Sequence, residues 1–133
     1  MTVKELKTAI YEFLITKTTN VYDTQSPSKI VYPYVIYTLD LSSTDTNEVR
    51  EDFDLTIDVF DNCQFDSSAL DVLVSAIDGD GAIVSASGLH RKHYYVSGVL
   101  QADIYRNGRN ILAEENENIG HVELSYDVMS YLV

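Results

Sequence analysis

The stretch REDFDLTIDVF, residues 50–60, carries the acidic side chains that come closest to forming a chemical site. Asp52, Asp54 and Asp58 alternate with apolar residues, so a strand would place all three on one face. Carboxylates on one face can bind a metal ion or transfer protons, but acid–base catalysis needs one of them shielded from water. No His or Cys stands among them. We therefore interpret the row as a strand face that meets solvent or another subunit.

Two other short runs have residue types that bind metal ions, and neither fits the required spacing. An EF-hand loop starting in the DGDG run, residues 78–81, needs an oxygen ligand and then glycine where Ala82 and Ile83 stand. The run is better explained as a turn that ends a helix. The basic segment HRKH, residues 90–93, lies where the pattern favours a loop leading into a strand. We interpret it as a surface patch or a contact with an acidic neighbour.

The sequence carries none of the usual catalytic signatures. It has no G-x-S-x-G elbow, no G-x-G-x-x-G and no Walker loop. Cys63 is the single cysteine, so it cannot form an internal disulfide, and it fits a small half-buried thiol. We therefore expect no enzyme, no cofactor and no metal site.

The length and net charge of the chain further limit the class of protein to which it can belong. The chain has 133 residues, which suits one domain, and its formal net charge is −12. This charge argues against a surface that grips nucleic acid, although DNA could pass through an acidic channel without sticking. The charged N-terminal segment lacks the apolar core of a signal peptide, and no run of about 18 apolar residues occurs. We expect a soluble, cytosolic-type protein with no membrane partner.

Hydrophobic spacing predicts two helices and four main strands. The predicted helices are residues 3–16 and 66–78, and the predicted strands are 31–41, 50–60, 94–106 and 121–133. Because strands mostly follow strands, the predicted class is α+β. A single domain, residues 1–133, would hold an antiparallel or mixed β-sheet with helices packed on one face. Polar composition predicts mobile loops at residues 17–30, 41–49 and 107–120.

The stretch IYRNGRNIL, residues 104–112, predicts a protruding β-hairpin. Asn107-Gly108 is a strong two-residue turn signal, because both central positions of a type I′ turn need positive φ. Arg106 and Arg109 flank it, so two of the four arginines of an acidic chain would stand at one hairpin tip.

The chain resembles a known family through the order of several segments. They are the strand YPYVIYTLD, the strand EDFDLTIDVFDN leading into the helix SSALDVLVSAI, and the closing segment DIYRNGRNILAEENENIGHVELSYDVMSYLV. The closing segment combines a basic hairpin, an acidic loop and a last strand with Tyr126, Val128 and Tyr131. In these features it resembles the tail-terminator, or tail-completion, proteins of long-tailed bacteriophages and phage-derived elements such as prophages. Residues 17–30 and the LHRKH segment carry none of the likeness.

This resemblance implies a structural virion protein rather than an enzyme. Such proteins form a ring, typically a hexamer, on the last ring of the tail tube. The ring stops tail growth and forms the surface for head–tail joining, while DNA passes through the hole without specific binding. The implied partners are other copies of the chain, which could assemble either in solution or only on the tail, together with the tail tube protein and the head connector, and no cofactor is implied. The implied location is the virion, after synthesis in the cytoplasm of the bacterial host.

A ring of this kind joins different patches of neighbouring subunits, so separate basic and acidic regions would suit it. The basic candidates for the subunit interface are Arg106, Arg109, Arg91 and Lys92. The acidic candidates are Asp52, Asp54, Asp58, Glu114, Glu115 and Glu117. Each set has a simpler explanation: the arginines could merely solubilise a hairpin tip. The acidic residues could line the bore and repel DNA, or could serve solubility alone.

Three other functions stay open at this point. A head-side completion protein of the connector would have the same helices and strands and would also assemble as a small ring. A monomeric acidic binding module, of a different class, would show a contiguous acidic face and no self-association. An enzyme is the third reading, and the sequence supplies no site for it.

Overall fold

A computed structural model of the protein describes residues 3–44, 50–64, 66–82, 86–98 and 100–131. Within these ranges the chain forms two helices and six strands in one sheet. The elements are α1 (Val3–Leu14), β1 (Val21–Asp23), β2 (Tyr34–Thr44), β3 (Arg50–Asn62), α2 (Ser68–Asp78), β4 (His93–Val96), β5 (Leu100–Leu112) and β6 (Ile119–Tyr131). Their order across the sheet is β1-β2-β3-β6-β5-β4. The β1–β2 pair is parallel and the others are antiparallel, so the predicted mixed α+β fold is confirmed.

Both helices pack against the same face of this sheet. Their apolar residues recur at helical spacing and are buried: Leu6, Ile10, Phe13 and Leu14 in α1, and Leu70, Val74 and Ile77 in α2. They share one core with alternate residues of the strands, including Leu39, Leu55, Ile57, Leu124 and Tyr126. A strand shows alternate side chains to opposite faces, so the same strands leave their polar residues on the uncovered side. Neither helix in the described part of the chain is long and apolar enough to cross a membrane.

The uncovered side, called here the outer face, carries a row of aspartates. Asp40, Asp54 and Asp127 lie opposite one another in β2, β3 and β6. Like charges placed directly opposite in a sheet destabilise it, so this row raises the negative potential of the outer face at some cost to stability. The prediction that the aspartates of β3 share a face away from the core is confirmed.

The predicted turn at Asn107-Gly108 is wrong. Strand β5 continues through it, and its register with β6 shifts between Arg106 and Gly108. Asn107 is therefore the extra residue of a β-bulge. Its side-chain amide donates a hydrogen bond of 2.8 Å to Asp127. Because β5 can pair with β6 on both sides of Asn107-Gly108, these residues form a bulge instead of a turn. The chain reverses direction only at residues 113–118.

The predicted strand 94–106 is wrong as a single strand, because β4 ends at Val96 and β5, which pairs antiparallel with it, begins at Leu100. The three predicted loops change as well. The predicted loop 107–120 is a loop only at 113–118, because β5 and β6 take its two ends. The predicted loop 17–30 contains β1, which the polar sequence did not indicate. Residues 41–44 belong to β2, and residues 45–49 of the third predicted loop lie outside the described residues. The mobility of these loops stays a prediction.

Candidate assembly interface

Arg106 is not at a hairpin tip but beside the C-terminal end of helix α2, where it is partly exposed. It lies opposite Tyr126 on the helix-covered face, and its guanidinium forms an ion pair with Asp78 at the end of α2. The Tyr126 hydroxyl donates a 2.8 Å hydrogen bond to the other Asp78 carboxylate oxygen. Asp78 is buried, at a helix C-terminus where the helix dipole disfavours negative charge. The buried carboxylate therefore depends on both partners, and Arg106 has an internal role.

Tyr126 is held in its protonated form by the same cluster. Burial, and after it the Asp78 charge, raise the pKa of Tyr126 well above its ordinary value. A neutral phenol can donate to the carboxylate, whereas a phenolate would repel it. The sequence analysis missed this cluster because Asp78 and Arg106 are 28 residues apart and meet only through the packing of α2.

Arg109 is the second exposed arginine of β5. It lies opposite Leu124, is exposed and makes no ion pair with any residue the structure describes. It remains a candidate for contact with another subunit. The two basic candidates in the HRKH segment, residues 90–93, differ in exposure. Arg91 is exposed, while the Lys92 ammonium sits 4.6 Å from the centre of the Phe13 ring.

Lys92 belongs to the edge of the core more than to a binding surface. Its ammonium group also lies 5.7 Å from the centre of the Tyr94 ring, and such cation–π contacts favour a partly buried cation. Burial, and then the charge of Lys17, lower the pKa of Lys92.

The acidic candidates on β3 also differ in their partners. Asp52 receives two hydrogen bonds from Arg50, of 2.6 and 2.9 Å, in a two-pronged ion pair. Asp54 is exposed within the aspartate row. Asp58 accepts from a histidine that the sequence analysis did not single out, His121 of β6.

His121 joins two of the predicted acidic residues. Its Nε2 lies 2.7 Å from Asp58 and its Nδ1 lies 2.6 Å from Glu114. Both ring nitrogens donate only in the imidazolium form, so the geometry suits a charged ring between two carboxylates. The ring is nearly buried and stacks on Phe60, with ring centres 4.1 Å apart, and Phe60 stacks on Tyr34. This cluster fixes Glu114, and with it the start of the 113–118 turn, to the sheet.

A groove opens beside this turn, between it and the start of α2. Its volume is about 380 Å³. The apolar lining comes from Cys63, Leu70, Ile111, Leu112, Ala113, Ile119 and Val122, and the acidic lining from Asp71, Glu114 and Glu117. Ile111 is 86% exposed, the largest exposure of any bulky apolar residue described. We call this feature the Ile111 groove. Glu115 is exposed in the same turn and does not line the groove.

The backbone beside the Ile111 groove is an open sheet edge. Strand β4 pairs with β5 only at residues 100–103, and the preceding segment adds hydrogen bonds at Ile104. The Arg106 amide donates to His90. After Arg106, residues 107–112 of β5 pair with β6 on one side only. On their other side, no strand in the described part of the chain pairs with them. Open edges with apolar side chains are sites where another chain can bind.

Among the residues that the structure describes, no group of three or more His, Cys, Asp or Glu side chains is placed to hold a metal ion. The acidic side chains just described are instead engaged by Arg50, Arg106 and His121, or they face solvent.

Comparisons with known proteins point to the fold. No family model matches the chain, and no curated protein matches it. Among solved structures, the chain is similar to one in the structure described as "Virion of native gene transfer agent (GTA) particle". The TM-score is 0.59 at 16% sequence identity, and the match covers 92% of this chain and 91% of that chain. The two chains therefore share a fold over nearly their whole lengths.

Proposed function

We propose that the protein is a structural subunit of a phage-like virion. The observation that carries this proposal is the fold likeness to a chain of a gene transfer agent virion, because it spans almost all of both chains. The sequence resemblance to tail-terminator proteins supports the same class independently. The protein acts by assembly and not by catalysis, in keeping with an interface surface built from an open strand edge and an apolar groove.

Within this class, we propose that the protein caps the tail tube as a ring and forms the tail side of the head–tail joint. A ring needs two different patches on each subunit, and a sheet with two edges can supply them. The aspartate row on the outer face and the net charge of −12 suit a surface that DNA passes without sticking. Other copies, the tail tube protein and the head connector are the proposed partners.

Electron microscopy of lysates tests this proposal directly. The particles come from a phage or prophage from which only this gene is deleted, and a wild-type copy supplied in trans is the control. Overlong headless tails beside filled heads are the expected result, because the tube has lost its stop. Tails of normal length beside heads that have leaked DNA would move the protein to the head side of the joint. Intact infectious particles would overturn the virion role.

A second candidate function is an acidic binding module that acts as a monomer. The observation that favours it is the register of Asp40, Asp54 and Asp127, which places three carboxylates side by side across the outer face. Such a module would bind a basic protein partner and would not self-associate. Sedimentation velocity across a wide concentration range separates the two, because only the ring subunit shows assembly that grows with concentration.

A further inference from the structure

A second exposed apolar patch lies at the other edge of the sheet. Ile30 and Val31 are 50% and 49% exposed, in the segment that leads into β2, and Lys29 precedes them. The Asn20 amide donates hydrogen bonds to the carbonyls of Val31 and Pro33, at 3.3 and 3.1 Å. These bonds hold the segment beside β1. We call Lys29-Ile30-Val31 the edge segment.

The edge segment and the Ile111 groove lie at the same end of the sheet. Tyr34, three residues after Val31, lies opposite Phe60, which lies opposite His121, which lies opposite Leu112. One row of the sheet therefore links the two patches, and the three strand spacings between them amount to roughly 14 Å. In a closed ring, patches that touch on neighbouring subunits lie at the same level along the ring axis. With the strands running along the ring axis, the two patches meet this condition.

The two patches are also complementary in chemistry. The edge segment offers two branched apolar side chains beside a cation, and Lys29 makes no ion pair with any described residue. The Ile111 groove offers apolar walls with a rim of Asp71, Glu114 and Glu117. Copies that each carry a charge of −12 repel one another, so a contact between them needs local charge pairing of this kind.

We infer that the edge segment of one copy occupies the Ile111 groove of the next copy, which makes this the ring contact. The inference rests on the proposed ring-forming function. Ile30 and Val31 cover Ile111 and the apolar walls, and the Lys29 ammonium faces the acidic rim. Both halves of the contact come from one chain and lie at the same end of its sheet, which a different partner protein would not require.

Disulfide capture tests the contact in the full chain. The variant Val31→Cys with Ile111→Cys is made in a Cys63→Ser background and oxidised at high protein concentration. The expected product is a ladder of linked multimers, because each copy has one thiol in each half of the contact. An internal bond gives only monomer, and the spacing within one chain exceeds the reach of a disulfide. The matched control carries Val72→Cys, on an exposed site of α2 outside both patches, in place of Val31→Cys. A ladder no stronger than the control would overturn the inference.

Mixing two charged variants tests the head-to-tail geometry. Ile30→Asp with Val31→Asp damages only the edge segment, and Ile111→Asp damages only the groove. Each variant alone should lose at least tenfold in self-association measured by sedimentation, while an equimolar mixture should form dimers through the one intact contact. Val72→Asp is the control for added surface charge, and circular dichroism confirms that each variant folds. No dimer in the mixture contradicts the contact.

Phage complementation separates this inference from the proposed function. If gene deletion gives overlong tails but the Ile111→Asp variant restores infectious particles, the contact is wrong and the capping role stands. If deletion leaves infectious particles intact, the capping role is wrong whatever the capture experiment shows. Failure of both Ile111→Asp and the edge variant to restore particles, with Val72→Asp restoring them, supports the contact.

Discussion

Two ion clusters of similar composition lie on opposite faces of the sheet. The Asp78 cluster joins an aspartate, Arg106 and Tyr126 at the C-terminal end of helix α2. The His121 cluster joins Asp58, Glu114 and a stacked aromatic ring on the outer face. The first carboxylate is buried, whereas the second pair is partly open to solvent.

Because the two clusters lie at different places in the fold, they have different structural roles. The Asp78 cluster ties the end of α2 to β5 and β6, so it belongs to the folding of the domain. The His121 cluster ties the 113–118 turn to β3 and thereby sets the shape of the Ile111 groove. Similar chemistry thus stabilises the core in one place and positions a surface in the other.

The largest expected effect comes from removing the cation of the buried cluster. Arg106→Ala leaves the Asp78 carboxylate without its cation at a helix C-terminus. The free energy of unfolding should fall by about 2–3 kcal/mol, less than for a fully buried pair because Arg106 is partly exposed. Urea unfolding measures the loss. Arg109→Ala, on the same strand, is the control and should change stability by at most about 0.5 kcal/mol. Equal effects would show that the two arginines are equivalent.

A smaller and more local effect is expected at the outer cluster. His121→Gln removes the ring that sits between Asp58 and Glu114, so the two carboxylates lose their shared donor. The free energy of unfolding should fall by about 1–2 kcal/mol. Hydrogen exchange should also speed up at residues 113–118 more than in β3. Glu115→Gln, in the same turn, should change neither quantity. Uniform exchange throughout the sheet would contradict a positioning role.

The contribution of Tyr126 to the buried Asp78 cluster can be measured from the pH dependence of the free energy of unfolding. Burial raises its pKa, so the folded chain keeps the phenol proton at pH values where the unfolded chain, with a pKa near 10, loses it. Its contribution is fully present below about pH 10 and is lost as the pH rises beyond it, by up to about 1.4 kcal/mol per pH unit. Unfolding of Tyr126→Phe between pH 9 and 11 should show a shallower loss than the wild type. Identical slopes would remove Tyr126 from the cluster's energetics.

The smallest effect is expected for a pair exposed at the surface. Lys7 and Asp23 form an ion pair of 3.2 Å between α1 and β1, and the pair is solvent-exposed. Lys7→Ala should therefore change stability by at most about 0.5 kcal/mol. A hydrogen bond from Thr24 is the main reason that the pKa of Asp23 is lowered, with Lys7 a lesser cause. An NMR titration of Lys7→Ala should show the pKa of Asp23 still lowered. Its return to the ordinary value would make Lys7 the main cause.

Sequence reasoning succeeded for α1, α2 and β3, where a periodic pattern runs along the element, although the local turn signal at Asn107-Gly108 was wrong. The alternation of Phe53, Leu55 and Ile57 with aspartates identified β3 and its two faces, and helical spacing identified α1 and α2. It failed where the outcome depends on strands that are distant in sequence. β1 has three residues and exists by pairing with β2, and the partners of Arg106 and His121 follow from register and helix packing. No short-range pattern contains that information.

The Asn107 bulge also limits how the surface can change over generations. One extra residue puts Arg109 and Ile111 on the same face as Arg106, opposite Leu124 and Val122. Point substitutions alter what stands at these positions but not the direction in which they point. Deleting a single codon there would turn the distal part of the strand over, exchanging residues between the groove and the outer face in one event. Substitutions can therefore change the groove gradually. The face of the sheet on which the groove lies depends instead on the number of residues in β5.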